Sequence, residues 1–343
     1  MIPLERAREV ALSLVATLGT EVLPLQQARG RFVAQPLLVS RPIPAVDSSA
    51  MDGWALRSEE SAAATRDQPA LFRVRGEAAA GAPQVPELGR GEAVRIFTGA
   101  LLPAGADAVL RLESGVEVAG ELRAFIPARP GDHIRRAGEE LPLGAVGLPA
   151  RSLLDAYGLA VAASLGYAKV EVARPPRVGV ITVGDELVRI GRAALPHQVY
   201  DSNGVLVAAL CVELGVSVTY QTHAADDDGP IRAALEEALE ETDLVVTCGG
   251  ASVGDHDRVK HVLREMGGKL HVDGVLLKPG KPLGVAAVRG KPVVVLPGNP
   301  GAAAVGFDQL ARPMLLRAQG VTEVRRRLPV RLDAPRHKQA GLE

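Results

Sequence analysis

Residues Arg177–Val183 read RVGVITV, and this short run decides the fold. After its first residue it carries no charge and is mostly β-branched, the texture of a strand buried on both faces in a parallel sheet. The pattern continues downstream. Residues 203–214 (NGVLVAALCVEL) read as a helix begun by Asp201 or Ser202 and stopped by Gly215. A strand at 216–221 follows, and Asp228-Gly229-Pro230 then opens a helix to about Glu241, with Asp228 as its cap. Residues 244–247 form a strand leading into Gly249-Gly250. A helix over about 257–266, strands at 270–272, 285–288 and 293–296, and a helix over about 301–316 complete the series. Strands alternating with helices predict a doubly wound α/β domain over residues 174–320.

Upstream the texture differs. Residues 4–18 have apolar positions at helical spacing, a short helix is expected at 25–28, and 32–39 is extended. RPIPAV (41–46) holds two prolines and reads as a linker. From there to residue 137 come short β-like runs at 71–76, 91–98, 108–112 and 122–126, separated by Gly/Pro turns. They predict a small β-rich domain. SSAMDGWA (48–55) holds the only tryptophan and three small polar residues without periodicity, and reads either as a structural turn with Trp54 packed or as a functional segment. Residues 153–165 return to a helical pattern ending at Gly166. The remaining 321–343 is arginine-rich and too short to be a domain.

Bulk properties narrow the function. The chain has 343 residues, 47% hydrophobic and 23% charged, the balance of a multidomain globular protein. A formal net charge of −1 provides no whole-molecule field for nucleic acid or an anionic membrane. Cys211 and Cys248 are too few for a disulfide framework and lack zinc-site spacing. Charged residues in the first turns exclude a signal peptide, and no apolar run approaches a membrane span, so the expected address is the cytoplasm. Lysine occurs only at 169, 260, 269, 278, 281, 291 and 338, so a lysine is an uncommon choice in this chain.

Ligands of an open parallel sheet bind beyond the carboxyl ends of its strands. The first strand exits into Gly184-Asp185-Glu186, the second into Asp226-Asp227-Asp228, and the third into Gly249-Gly250-Ala251-Ser252-Val253-Gly254-Asp255-His256-Asp257. Later exits carry Lys278-Pro279-Gly280-Lys281-Pro282 and Pro297-Gly298-Asn299-Pro300. Gly249, Gly250, Ser252 and Gly254 fit a strand-to-helix loop whose N–H groups cradle phosphate. Lys278 and Lys281, in a proline-stiffened turn, are candidates to neutralise it. Asp185, Glu186 and Asp257 are candidate oxygen ligands for Mg²⁺, which bridges to phosphate. Cys248 reads as a small core residue, and Thr98-Gly99-Ala100 as a turn of either structural or functional meaning.

SSAMDGWA (48–55), IFTGALLPAGADAV (96–109), RRAGEE (135–140), VGDEL (183–187), YDSN (200–203), GGASVGDHD (249–257), KPGKP (278–282) and LPGNP (296–300) stand in the order and spacing of one family. The chain resembles the molybdopterin molybdenumtransferases, the MoeA proteins and the E domain of gephyrin. The resemblance implies a multidomain α/β architecture. Its parts are a discontinuous N-terminal, helical and extended dimerisation domain (1–40 and 138–173), a β-rich insert (41–137), a MogA-like molybdopterin-binding α/β domain (174–320), and the opening of a truncated C-terminal β-barrel domain (321–343). It implies a homodimer with its active site between subunits, and a molybdopterin adenylyltransferase as functional partner. The implied reaction takes adenylylated molybdopterin and molybdate with Mg²⁺, cleaves the pyrophosphate, and releases AMP. Asp52 and Thr98 match functional positions of the β-rich domain. Glu186, Asp226 or Asp227, Asp257, Lys278, Lys281, Pro297 and Pro300 match those of the α/β domain. Val183, Glu140, Cys248 and Arg258 depart from the family pattern. The competing readings are a scaffold protein on the same fold and a nucleotidyl-transferring relative; the acids and lysines kept at the strand exits favour the transferase.

Overall fold

A computed structural model describes residues 1–250 and 258–322. The chain divides into two units by contact: residues 36–148 with 161–166, and residues 1–35, 149–160 and 167 onward. The segments expected as a separate N-terminal domain are thus shared between the two, the division falling inside the helix at 156–164. Helix α1 (Leu4–Ser13) is shorter than the 4–18 its apolar spacing suggested and buries Leu4, Ala7 and Ala11. It packs on the last helices of the α/β unit, where Arg8 donates to the Gln309 carbonyl at 3.1 Å.

The β-rich unit is built on a six-stranded sheet of β1 (Gly53–Leu56), β2 (Ala70–Ala78), β3 (Glu92–Ile96), β4 (Ala108–Arg111), β5 (Gly115–Val118) and β6 (Glu121–Ala124), ordered β4-β1-β3-β2-β6-β5. The segment expected as a turn around Trp54 is instead strand β1, paired antiparallel with both β3 and β4. A run of only four residues, starting at a glycine, carried no legible alternation. Its pairing is set by neighbours far along the chain. Trp54 is packed as anticipated, 2% exposed, among Leu56, Phe72, Leu110 and Leu122. Gly53 is obligatory, since a Cβ there would lie 1.9 Å from the Leu110 carbonyl oxygen.

After α2 (Ala156–Ser164) the α/β unit forms a second six-stranded sheet. Its strands are β7 (Arg177–Val183), β8 (Ser217–Ala224), β9 (Leu244–Cys248), β10 (Lys269–Asp273), β11 (Gly284–Val288) and β12 (Lys291–Leu296), ordered β8-β7-β9-β12-β11-β10. Helices α3 (Ser202–Glu213), α4 (Asp228–Glu241), α5 (Arg258–Glu265), α6 (Pro300–Gly306) and α7 (Arg312–Ala318) cover it. β7, β8, β9 and β12 are parallel, while β11 runs antiparallel to both neighbours, so the sheet is mixed. That reversal sets the 274–283 loop, between β10 and β11, at the same edge as the exits of β7, β9 and β12. The central strands bury hydrocarbon on both faces: Val178, Val180 and Val294 pack with α3 and α7 on one, Ile181, Val245 and Val295 with α4 and α5 on the other.

The expected last helix is broken by a π turn at Phe307–Ala311. Pro313, just beyond it, has no N–H to donate back into the preceding turn, and the wider turn accommodates the lost bond. No described helix is long and apolar enough to cross a membrane.

Candidate active site

In the α/β unit the strand exits are floored by bare backbone. Gly249 takes φ +89°, and a Cβ on it would lie 2.1 Å from the Val183 carbonyl oxygen at the end of β7. Its N–H donates to the Leu296 carbonyl of β12 at 3.2 Å. Gly298 closes on it from the other side, so that a Cβ on Gly298 would meet the Gly249 Cα at 3.5 Å. Only glycine at position 249 admits the end of β7 this close. Gly250, at φ +59°, packs on Val183 and Val259. Val183 therefore fills space under the loop. Ser252, Gly254, Asp255, His256 and Asp257 lie outside the described residues.

Beside this floor stand the acids. Asp185 Oδ1 accepts the Asp226 N–H at 3.0 Å, tying the first two exits together. The Glu186 carboxylate folds back over Gly184. Burial raises the Asp226 carboxyl above its usual range, Arg258 opposes this, and Asp185, Glu186 and Asp228 add repulsion. Arg258 lies 3.9 Å from Asp226 and Asp227 and 3.6 Å from Asp228. The cap of α4 is Asp227 rather than Asp228: its carboxylate accepts the Asp228 N–H at 2.8 Å, and Asp228 is the first helical residue. As donors, these carboxylates suit a hard divalent cation in type. No three His, Cys, Asp or Glu converge into a metal-binding group among the described residues, and the third expected ligand, Asp257, is not among them.

The lysines crown the 274–283 loop. Leu277 and Leu283 are buried and anchor it, while Lys278 and Lys281 are exposed. Gly280, at φ +130°, lets the turn close: a Cβ there would meet the Leu277 side chain at 2.9 Å, and its carbonyl accepts the Leu283 N–H. Pro297 is buried at the end of β12, and Pro300 opens α6 behind the cap Asn299, whose Oδ1 accepts the Ala302 N–H at 3.2 Å. A lysine that sequence reading passed over, Lys260 on α5, is 4% exposed and donates to Asp273 at 2.9 Å. Burial alone would raise the Asp273 carboxyl, but Lys260 and Arg264 hold it below the usual range. The signal available was lysine's rarity.

Two further features border the exits. A strand pair, Leu187–Val188 with Val199–Tyr200, follows Glu186 unforeseen, because two-residue strands have no period to read. Its first strand, with Val205 and His223, borders a cavity of about 550 Å³. Cys248 is buried at the end of β9 and its thiol is pushed up to about 12 by that burial, which makes it core rather than nucleophile.

The β-rich unit holds Asp52 and Thr98 together, although 46 residues separate them. The Thr98 N–H and Oγ1–H donate to the same Asp52 Oδ1, at 2.8 and 2.9 Å. These bonds, the backbone one foremost, hold the Asp52 carboxyl below its usual range, with Arg95 adding attraction. Asp52 stands immediately before β1 and Thr98 two residues beyond β3, and pairing of Gly53 with Ile96 brings them side by side. Arg95 lies over the Trp54 ring at 4.8 Å from its centroid. The result is an exposed carboxylate held in a fixed orientation, with its ionised form favoured. Glu140 ion-pairs with Arg135, as does Glu139 at 3.3 Å.

Comparison with known proteins agrees with this layout. A family model described as the MoeA N-terminal region (domain I and II) matches residues 2–166, and one described as a probable molybdopterin binding domain matches residues 179–317. The molybdopterin molybdenumtransferase of Nostoc sp. is 34% identical over 89% of this chain and 70% of its own. Molybdopterin molybdenumtransferase 2 of Mycobacterium tuberculosis is 35% identical over 92% of this chain and 81% of its own. The crystal structure of a molybdopterin biosynthesis MoeA protein from Pyrococcus horikoshii superposes with a TM-score of 0.78 at 35% identity, covering 93% of this chain and 80% of that one. Glycine-floored exits, clustered acids and the KPGKP loop stand on the scaffold these relatives share, and the chain belongs to the molybdopterin molybdenumtransferase family.

Proposed function

We propose that this chain, an enzyme of molybdenum cofactor biosynthesis by its family, inserts molybdate into adenylylated molybdopterin, with hydrolysis of the pyrophosphate and release of AMP. The observation that carries the reading is the α/β edge itself. Backbone floors three adjacent exits, carboxylates stand on one side of them, and two of the chain's few lysines crown a loop of the same edge. Bare N–H groups and lysines bind and orient phosphate oxygens. Mg²⁺, held by Asp185, Glu186 and Asp257, would neutralise charge on the leaving phosphate. In the β-rich unit Asp52, kept ionised by Thr98, is placed to accept a proton or orient molybdate through the carboxylate oxygen that Thr98 leaves free. A scaffold would have no use for so constrained a carboxylate.

The enzyme is expected to be cytoplasmic and to work as a homodimer with a molybdopterin adenylyltransferase upstream. Sedimentation at micromolar concentration tests the dimer; a lone monomer would overturn it. The reaction is tested by supplying adenylylated molybdopterin, molybdate and Mg²⁺ and following AMP by chromatography. Molybdate-dependent AMP release is the expected result, and its absence refutes the proposal.

A further inference from the structure

Asn203 is the second residue of α3 and is 7% exposed. Its Nδ2 donates to the Gly298 carbonyl at 2.7 Å, across 95 residues of sequence. Its Oδ1 is buried and has no hydrogen-bond partner among the described residues. A buried oxygen left alone costs about as much as a single good hydrogen bond returns, so the side chain adds little net stability. What the bond does is positional. Gly298 is the residue whose backbone closes on Gly249, and it lies between Pro297 and the cap of α6. Asn203 itself is held rigidly. Asp201, two residues earlier and the residue before the helix, caps α3 through the Gly204 N–H at 2.9 Å and accepts the Thr182 hydroxyl of β7 at 2.7 Å. A polar chain thus runs from β7 through the start of α3 to the exit of β12.

We propose that Asn203 is a positioning residue that bolts the 297–300 turn over the glycine floor, setting the width of the substrate-binding edge. This rests on the reading of that edge as the site for adenylylated molybdopterin. The turn has few bonds of its own to hold it, since Pro297 and Pro300 have no N–H to donate. With the bolt removed, the Gly298 carbonyl is free to swing and ligand is bound by a wider range of turn conformations, at an entropic cost.

Two variants test this. Asn203→Leu keeps volume and removes both polar atoms, and Asn203→Asp keeps shape but turns an acceptor toward the Gly298 carbonyl. Hydrogen exchange by mass spectrometry should show the Gly298 and Asn299 amides exchanging roughly tenfold faster in both variants, with α4 and β9 unchanged. Melting of Asn203→Leu should stay within about 2 °C of the unaltered protein. In AMP release, KM should rise about tenfold while kcat changes less than about twofold. Unchanged exchange at the turn in both variants overturns the proposal. So does a general rise in exchange with a matching loss of melting temperature, which would make Asn203 merely structural. If the unaltered protein releases no AMP, the functional reading falls separately, and exchange at the turn alone decides whether Asn203 is the bolt.

Discussion

Gly249→Ala is the sharpest perturbation of the strand-exit floor. Its cost has two parts. Alanine at φ +89° pays about 1–2 kcal/mol for the left-handed backbone. The new methyl would also sit 2.1 Å from the Val183 carbonyl oxygen, whereas a close carbon–oxygen contact needs about 3.3 Å. The backbone of β9 or β7 must therefore retreat by roughly 1 Å, against strands whose Val180, Val245 and Val246 are fully buried. Forcing a close-packed core in this way costs about 1–3 kcal/mol more. The sum, about 2–5 kcal/mol, is a large share of a typical domain's stability. Urea unfolding reads it in two channels. Far-UV circular dichroism at 222 nm follows the helices, nearly all in the α/β unit, and fluorescence of Trp54 follows the β-rich unit alone. Gly290→Ala, at φ +77° with nothing within 4 Å, isolates the backbone part at about 1 kcal/mol. Gly249→Ala should lower the helical transition by several times the control and leave the Trp54 transition in place. A loss no greater than that of Gly290→Ala would refute the close-approach argument.

Lys278→Ala or Lys281→Ala should weaken binding of adenylylated molybdopterin by about 1.5–3 kcal/mol, measured by calorimetry, with melting unchanged because both side chains are exposed. Asp52→Asn should abolish turnover without weakening the fold, and Thr98→Val, which removes one of two bonds to Oδ1, should reduce kcat and move the acid limb of the pH–rate profile upward, since Asp52 then loses part of what lowers its pKa. An unmoved limb would remove Asp52 from proton handling. Asp226→Asn should raise the melting temperature near pH 7. The folded state raises the Asp226 carboxyl above 3.8, so the stability its neutral form contributes is present below that value and is lost as pH climbs through the raised one. The advantage of the variant should vanish in thermal scans below about pH 4, and equal curves at pH 7 would show that Arg258 fully compensates the charge.

Much of this molecule is legible without coordinates. RVGVITV at 177–183 and DGPIRAALEEALEE at 228–241 coincide with β7 and α4, because buried parallel strands and proline-started amphipathic helices carry their own periodicity. The exit rule then assigns Gly249, Lys278 and the acids to one edge of the sheet, since every parallel strand delivers its carboxyl end to the same side. Trp54's strand is illegible for the opposite reason: its direction and existence depend on partners tens of residues away, which local pattern does not encode. The Leu187–Val188 pair is too short to show a period, and the reversal of β11 is set by its pairing with β10 and β12. The same holds for the chemistry. That Asp52 and Thr98 are functional positions came from matched motifs, but their shared hydrogen bonds exist only because β1 and β3 pair with Gly53 opposite Ile96. Asn203 shows the limit most clearly. In sequence it is one more small polar residue at a helix start; folding brings its amide to a carbonyl 95 residues away and leaves its oxygen without a partner among the described residues, because burial acts on what the packed chain encloses and takes no account of sequence distance.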